Sequence, residues 1–193
     1  MAPTDPAPVV LRRRDTEGNQ LALMRWGLIP HWATDAKVGA TFNARSETIA
    51  RAPAFRDAWQ WRMRCLVPAA GFYEWKKDGA EKQPFFIRMR GGEPMAFAGL
   101  WAINRHVGDQ PVESYTIATT QPNELAAELH NRMPVIIGAE DFDRWLDPEV
   151  PPNEAARLLV PCPSDWLEAF PVSKEVGNVR NDGPQLMLPL NSQ

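Results

Sequence analysis

Cysteine is scarce in this chain. Cys65 and Cys162 are the only two among 193 residues, and they lie far apart with no C-x-x-C pair. Disulfide-rich domains and structural zinc sites both need several suitably spaced cysteines, so the sequence predicts neither. Cys65 falls on a predicted strand and is expected to be a buried, inert thiol. This scarcity is typical of proteins in the reducing cytoplasm.

Long apolar runs are absent as well. No run approaches the roughly 20 residues that a membrane span requires. The opening residues MAPTDPAPVV contain no basic stretch followed by an apolar one, and a secretory signal peptide needs both. We therefore expect a soluble cytoplasmic protein with no membrane partner, and we favour a monomer.

An excess of positive charge is also missing. The chain has 21 basic and 24 acidic residues, a net charge of −3, so any binding to nucleic acid must come from a local groove. Tryptophan, in contrast, is abundant, with eight copies beside only two tyrosines. Tryptophans fill cores, but they also offer flat platforms on which unpaired bases stack. Composition alone leaves both interpretations open.

The pattern of apolar residues predicts one α+β domain over residues 1–193. Strand-like segments joined by short turns dominate, and short helices are expected near 53–60, 139–146 and 153–159 and after a cap at Asn123. The expected strands are 8–14, 20–26, 63–67, 71–76, 84–90, 95–102, 114–119 and 133–137. We predict a largely antiparallel sheet that curls toward a barrel, with several short peripheral helices.

Glu74 is a candidate acid or base. It lies in GFYEW, where strand alternation places Phe72 and Glu74 on one face and Tyr73 and Trp75 on the other. A carboxyl group among aromatic rings is partly desolvated, which raises its pKa toward the range useful in proton transfer. An exposed or salt-bridged glutamate is the alternative.

His130 and the segment NARSET supply further candidates. His130 is expected to end a helix, where an imidazole can point into a cleft, although a surface capping histidine is equally consistent. In NARSET, Asn43 can orient a small polar group and Arg45 can bind a phosphate. The same letters also suit a helix cap followed by a surface charge pair.

Several familiar motifs are not found. HExxH, G-x-S-x-G, a phosphate-cradling loop and a dinucleotide fingerprint are all missing, and His31, His106 and His130 share no metal-ligand spacing. We expect neither a metal nor an organic cofactor.

Six strings together resemble the SOS-response-associated peptidase (SRAP) family. They occur in the family's order and extend from residue 26 to residue 181: WGLIPHW, NARSET, RCLVPAAGFYEW, FAGLW, HNRMPVI and VSKEVGNVRN. The resemblance implies a protein of the DNA damage response that recognises abasic sites in single-stranded DNA. It also implies a covalent link to the sugar through an amino-terminal cysteine, and self-cleavage that uncovers this cysteine.

The resemblance also implies roles for individual residues. Asn43, Glu74 and His130 match the family positions that orient the sugar, transfer protons and assist ring opening. For DNA binding, Arg45 and Arg132 match phosphate contacts, Trp32 matches a base-stacking platform and Pro3 matches part of a wedge beside the lesion.

The sequence departs from the family at its beginning. Met1 is followed by Ala2, and the family's Met-Cys-Gly-Arg opening is absent. We expect that the assigned start lies too late, because Asn43, Glu74 and His130 are all retained. The alternatives are a shortened, non-catalytic module that binds single-stranded or gapped DNA, and a chain whose amine forms a transient imine and nicks the strand.

Overall fold

The computed structural model describes residues 3–36, 41–79 and 81–190. The strands are β1 (Pro6–Leu11), β2 (Gln20–Trp26), β3 (Asn43–Arg45), β4 (Arg64–Ala69), β5 (Phe72–Asp78), β6 (Glu81–Met89), β7 (Met95–Asn104), β8 (Val112–Thr120), β9 (Met133–Pro134) and β10 (Leu167–Pro171). The helices are α1 (Arg56–Gln60), α2 (Glu124–Ala127), α3 (Phe142–Leu146) and α4 (Pro152–Ala155). Short 3₁₀ turns cover Ala139–Asp141, Ala156–Leu158, Ser164–Trp166, Lys174–Gly177 and Pro184–Met187.

The larger sheet closes on itself as a ring. Its strands follow the order β2-β1-β4-β7-β8, and β8 then pairs with β2. The closing pair is parallel and short, joining Arg25 to Ser114 and Trp26 to Tyr115. The other neighbours in the ring are antiparallel. The predicted α+β class and the curling sheet are thus confirmed.

A smaller antiparallel sheet, β10-β6-β5, packs beside the ring. Its β5–β6 hairpin turns between Asp78 and Glu81, where Gly79 has a φ of 57°. Glycine adopts that left-handed conformation without the steric cost that other residues pay. This hairpin carries Glu74.

Period-two burial explains why the sheets form a core. In β1, Ala7, Val9 and Leu11 are buried while Pro6 and Pro8 are exposed. One apolar cluster includes Met24, Cys65 and Tyr115, and a second includes Leu28, Trp59 and Trp145. Cys65 is completely buried, as predicted, and burial raises the pKa of its thiol far above its usual range.

Several local predictions needed correction. Residues 133–137 form a strand only at Met133–Pro134, with one further bridge between Phe97 and Ile136. The helix after Asn123 is four residues long, although its predicted cap is present, since the Ala126 N–H donates to Asn123 Oδ1 at 2.9 Å. Residues 43–45 form β3, so the helix-cap interpretation of NARSET is wrong. Strand β10 was missed.

Candidate functional site

Glu74 and His130 meet at one place in the fold. Glu74 Oε1 lies 3.7 Å from His130 Nδ1, although 56 positions separate the two residues along the chain. Strand alternation in β5 directs Glu74 to this side. Phe72, on the same face, has its ring centroid 6.0 Å from that of Phe97, whereas Tyr73 lies 5.0 Å from Phe86. The predicted two faces of β5 are confirmed.

The end of α2 positions His130. Its main-chain N–H donates to the Ala126 carbonyl at 2.9 Å, so His130 is held by the last turn that follows the helix. The cap at Asn123 fixes the other end of the same short segment. A loop residue anchored at both ends in this way presents its side chain in a defined direction.

Burial raises the pKa of Glu74. Desolvation is the main cause, and it outweighs the opposing effects of the His130 charge and of a hydrogen bond from the Trp75 main chain. The side chain is 22% exposed, compared with 46% for His130. A carboxyl group with a raised pKa keeps its proton closer to neutral pH, where a general acid is useful.

The raised pKa of Glu74 predicts how the free energy of unfolding depends on pH. The unfolded chain releases the Glu74 proton at a lower pH than the folded chain does, so folding is progressively disfavoured as pH rises between the two pKa values. Glu74→Gln removes this effect and should be more stable than the parent at neutral pH. The difference should shrink as pH falls toward the usual pKa of a glutamate. Urea denaturation of both proteins across pH 4 to 8 measures it, and a constant difference would contradict the prediction.

His130 can change partners with its protonation state. The Arg132 N–H lies 3.2 Å from His130 Nδ1, and an amide can only donate, so this contact favours the neutral ring with its hydrogen on Nε2. When the ring is protonated, Nδ1–H can donate instead to the Arg132 carbonyl, which is also 3.2 Å away, or form an ion pair with Glu74. The pair can therefore hold and pass a proton.

Arg132 is fixed by two neighbours. Its Nη2 donates to the Thr119 carbonyl at 2.6 Å and to Glu47 Oε2 at 3.0 Å, and its Nη1 donates to Glu47 Oε1. The arginine in turn lowers the pKa of Glu47, chiefly through the side-chain hydrogen bond. The Arg132 charge is thus already paired, so a DNA phosphate would have to share it with Glu47. The sequence did not indicate Arg132 as the partner of Glu47.

Strand β3 carries Asn43 and Arg45 beside this network. Both side chains are exposed on one face, while Ala44 between them is completely buried on the other. Arg45 pairs with Thr119 of β8, whose carbonyl also binds Arg132. The two predicted phosphate contacts therefore flank the same residue. The expected convergence of Asn43 with Glu74 and His130 stays a prediction.

The segment that contains Pro3 is connected to the beginning of β3 through Trp26. The adjacent Thr4 N–H donates to the Trp26 carbonyl at 3.0 Å. The Trp26 indole N–H donates to the carbonyl of Phe42, directly before Asn43, at 2.9 Å. These two bonds connect the Pro3 segment to Asn43 through one tryptophan.

Trp32 lies in the loop that begins at Gly27. The residue is 47% exposed, so solvent reaches part of the indole. Its predicted role as a base platform is therefore compatible with its position.

Two further findings bear on the kind of site. Within residues 3–36, 41–79 and 81–190, no three His, Cys, Asp or Glu side chains are grouped closely enough to hold a metal ion. Over the same ranges, the helices are all too short or too polar to cross a membrane.

Comparison with known families confirms the family suggested by the sequence strings. A family model described as SOS response associated peptidase (SRAP) matches residues 1–179. The chain belongs to the SRAP family.

Relatives with an abasic-site name cover most of the chain. The abasic site processing protein YoqW of Bacillus subtilis is 41% identical over 176 residues, which are 90% of this chain and 78% of the relative. YedK of Escherichia coli, with the same descriptive name, is 32% identical over 97% of this chain and 88% of its own length. HMCES of Gallus gallus is 33% identical over 97% of this chain and 65% of its own length.

Solved structures share the architecture. The crystal structure of a protein from Bacteroides thetaiotaomicron has a TM-score of 0.84 at 28% identity, covering 97% of this chain and 82% of that one. A protein from Bordetella bronchiseptica has a TM-score of 0.80 at 29% identity, covering 90% and 86%.

Proposed function

We propose that this chain is an abasic-site processing domain that binds single-stranded DNA containing a baseless sugar and, when an amino-terminal cysteine is present, joins it covalently. The observation that carries the proposal is the Glu74–His130 pair, at 3.7 Å, in a chain of the SRAP family. Relatives named for abasic-site processing support the choice of substrate.

The chemistry requires proton transfer and no redox step. An α-amine adds to the C1′ aldehyde of the ring-opened sugar, and water leaves to give an imine. The cysteine thiolate then adds to the same carbon and the nitrogen takes up a proton, which closes a thiazolidine. Glu74, with its raised pKa, is suited to donate and recover the protons that these steps need, and His130 can relay them.

Noncovalent contacts would hold the strand. Arg45 is exposed beside Arg132, and arginine forks match phosphate oxygens. Trp32 offers a stacking surface, and Pro3 can occupy part of the gap left by the lost base. Local arginines of this kind can bind DNA despite a net charge of −3.

A binding function without chemistry is the second candidate. Both cysteines of the chain are buried, and burial raises the pKa of Cys162 to about 11, so neither provides a ready thiolate. Residue 2 is alanine. The chain with this sequence is therefore expected to bind abasic single-stranded DNA weakly and to form no stable adduct.

A denaturing gel distinguishes the two candidates. The 193-residue chain and a version carrying a family member's opening segment, beginning Met-Cys-Gly-Arg, are incubated with abasic single-stranded DNA. We expect a heat-stable adduct only with the second protein. An adduct with the first would contradict the requirement for the cysteine, and no adduct with either would favour the binding module. Borohydride in a parallel sample traps any transient imine formed by another amine.

A further inference from the structure

Trp61 is an exposed tryptophan between two hollows. Its side chain is 50% exposed, and its ring centroid lies 4.6 Å from that of His31, with the planes tilted by 53°. One hollow has a volume of about 180 Å³ and includes Leu28 and Met63 in its walls. The other, of about 350 Å³, includes Arg14. A single exposed aromatic ring is common on proteins, so its surroundings must decide its role.

Three arginines that line the hollows beside this ring have no carboxylate partner among the described residues. Arg62 lines the second hollow and donates to the carbonyls of Pro148 at 2.9 Å and Glu149 at 3.4 Å, which do not neutralise its charge. Arg14 and Arg105 are exposed, and neither forms an ion pair with any residue that the structure describes.

Other charges at the hollows largely cancel. Arg12 is paired with Asp143 and Arg13 with Glu113. Asp57 lines the first hollow and contacts both Arg56, at 3.1 Å, and His31, at 3.6 Å. Exposed Asp15 in the second hollow offsets one positive charge. The guanidinium groups of Arg14, Arg62 and Arg105, which no carboxylate of a described residue neutralises, therefore leave this part of the surface positive, although the whole chain is acidic.

From this arrangement we propose that the Trp61 surface, formed by Trp61, His31, Arg14, Arg62 and Arg105, binds the single-stranded DNA that flanks the lesion. Bases stack on the indole, and the guanidinium groups contact phosphates. Stacking on an aromatic face and contacts to phosphate do not depend on base identity, so binding here tolerates any sequence. The inference rests on the proposed function and extends it from the abasic sugar to the strand beside it.

The loop from Gly27 to Trp32 connects this surface to the candidate site. At one end Trp26, directly before Gly27, bonds to the residue preceding Asn43. At the other end Trp32 is adjacent to His31, which contacts Trp61. A strand that follows the loop would pass from Asn43 over Trp32 to Trp61.

Strand β8 allows the distance between the candidate site and the Trp61 surface to be estimated. Thr119 bonds to Arg132 at the candidate site, and Glu113 bonds to Arg13 beside the second hollow. Six residues of extended strand cover about 20 Å. A stacked strand advances about 3.4 Å per nucleotide, so about six nucleotides link the two regions.

Oligonucleotide length tests the proposal with the 193-residue chain itself. One abasic oligonucleotide has about two nucleotides on each side of the lesion, and another has about twelve, well beyond the about six needed. Trp61→Ala should weaken binding of the long oligonucleotide at least about fivefold, a modest loss for one stacked base. It should leave the short one unchanged. Arg14→Gln, at an exposed turn, should lower the salt dependence of the affinity for the long oligonucleotide by the amount expected for about one phosphate contact. The salt dependence of the affinity for the short oligonucleotide should not change.

Matched variants control for general effects. Trp75→Ala removes another exposed tryptophan, on the face of β5 away from Glu74, and Arg88→Gln removes an arginine already paired with Glu168. Both should bind the two lengths like the parent. The proposal would be overturned if Trp61→Ala lost the same affinity for both oligonucleotides, or lost none for either. The second result would instead favour an acidic protein as the partner of this surface.

A different result would contradict the proposed function. If the parent binds the short abasic oligonucleotide no better than an intact one of the same length, lesion recognition is wrong. The loss of affinity caused by Trp61→Ala is compared between the long and the short oligonucleotide in a separate measurement. Failure of lesion recognition and failure of the Trp61 surface are therefore distinguishable.

Discussion

In the version that begins Met-Cys-Gly-Arg, Glu74→Gln is expected to slow formation of the covalent DNA adduct by about 10²–10⁴-fold, the usual contribution of a positioned acid or base. Glutamine keeps the shape of the side chain but cannot release or accept a proton, so binding of the DNA should change little. Adduct formation followed on denaturing gels over time, with affinity measured separately, provides the rates.

His130 should share this effect if the two residues act together. His130→Gln is expected to be slow as well, and the double variant should lose little beyond the slower single variant, because groups that act as a unit are strongly non-additive. Glu128→Gln, an exposed carboxylate near the end of α2, is the control. A Glu74→Gln rate equal to that of the control would contradict the assignment, and multiplicative losses would contradict a shared proton.

Arg64→Ala is expected to have the largest effect on stability, lowering the free energy of unfolding by about 3–5 kcal/mol because it leaves buried carbonyls without donors. Arg64 is 1% exposed and donates to the carbonyls of Trp145 at 2.6 Å and Val150 at 3.0 Å, and also to that of Asp147. Burial is the main reason that its pKa falls to about 10, so it remains charged at neutral pH.

Urea denaturation of Arg64 variants tests this role. Arg64→Lys should recover only part of the stability, because one ammonium group cannot match the planar fork that serves three carbonyls. Exposed Arg157→Ala should stay within about 0.5 kcal/mol of the parent. Equal denaturation midpoints for Arg64→Ala and Arg157→Ala would show that the bonds to residues 145–150 contribute nothing.

The sequence predictions were accurate where a feature depends on residues close together in the chain, and they failed where it depends on remote residues. The two faces of β5 depend on alternation between neighbours, and the cap at Asn123 depends on a residue three positions away, so both were predictable. Strand β3 has only three residues and exists because it pairs with β8. No local pattern distinguishes such a segment from a cap or a loop.

The candidate site shows the same difference between features set by nearby residues and features set by remote ones. The sequence alone indicated the chemical groups, the partly desolvated carboxyl at Glu74 and, through six ordered strings, the SRAP family. It did not indicate that Arg132 binds Glu47, 85 positions away, or that Trp61 lies against His31.

Residue types and short spacings are written in the chain, so they determined the candidate groups and most of the strands. Distances across the fold depend on how a ring-shaped sheet and a second sheet pack together, and this packing sums many weak contacts between remote residues. Only the tertiary structure could therefore decide that Glu74 lies 3.7 Å from His130 and that three arginines with no carboxylate partner among the described residues lie beside Trp61.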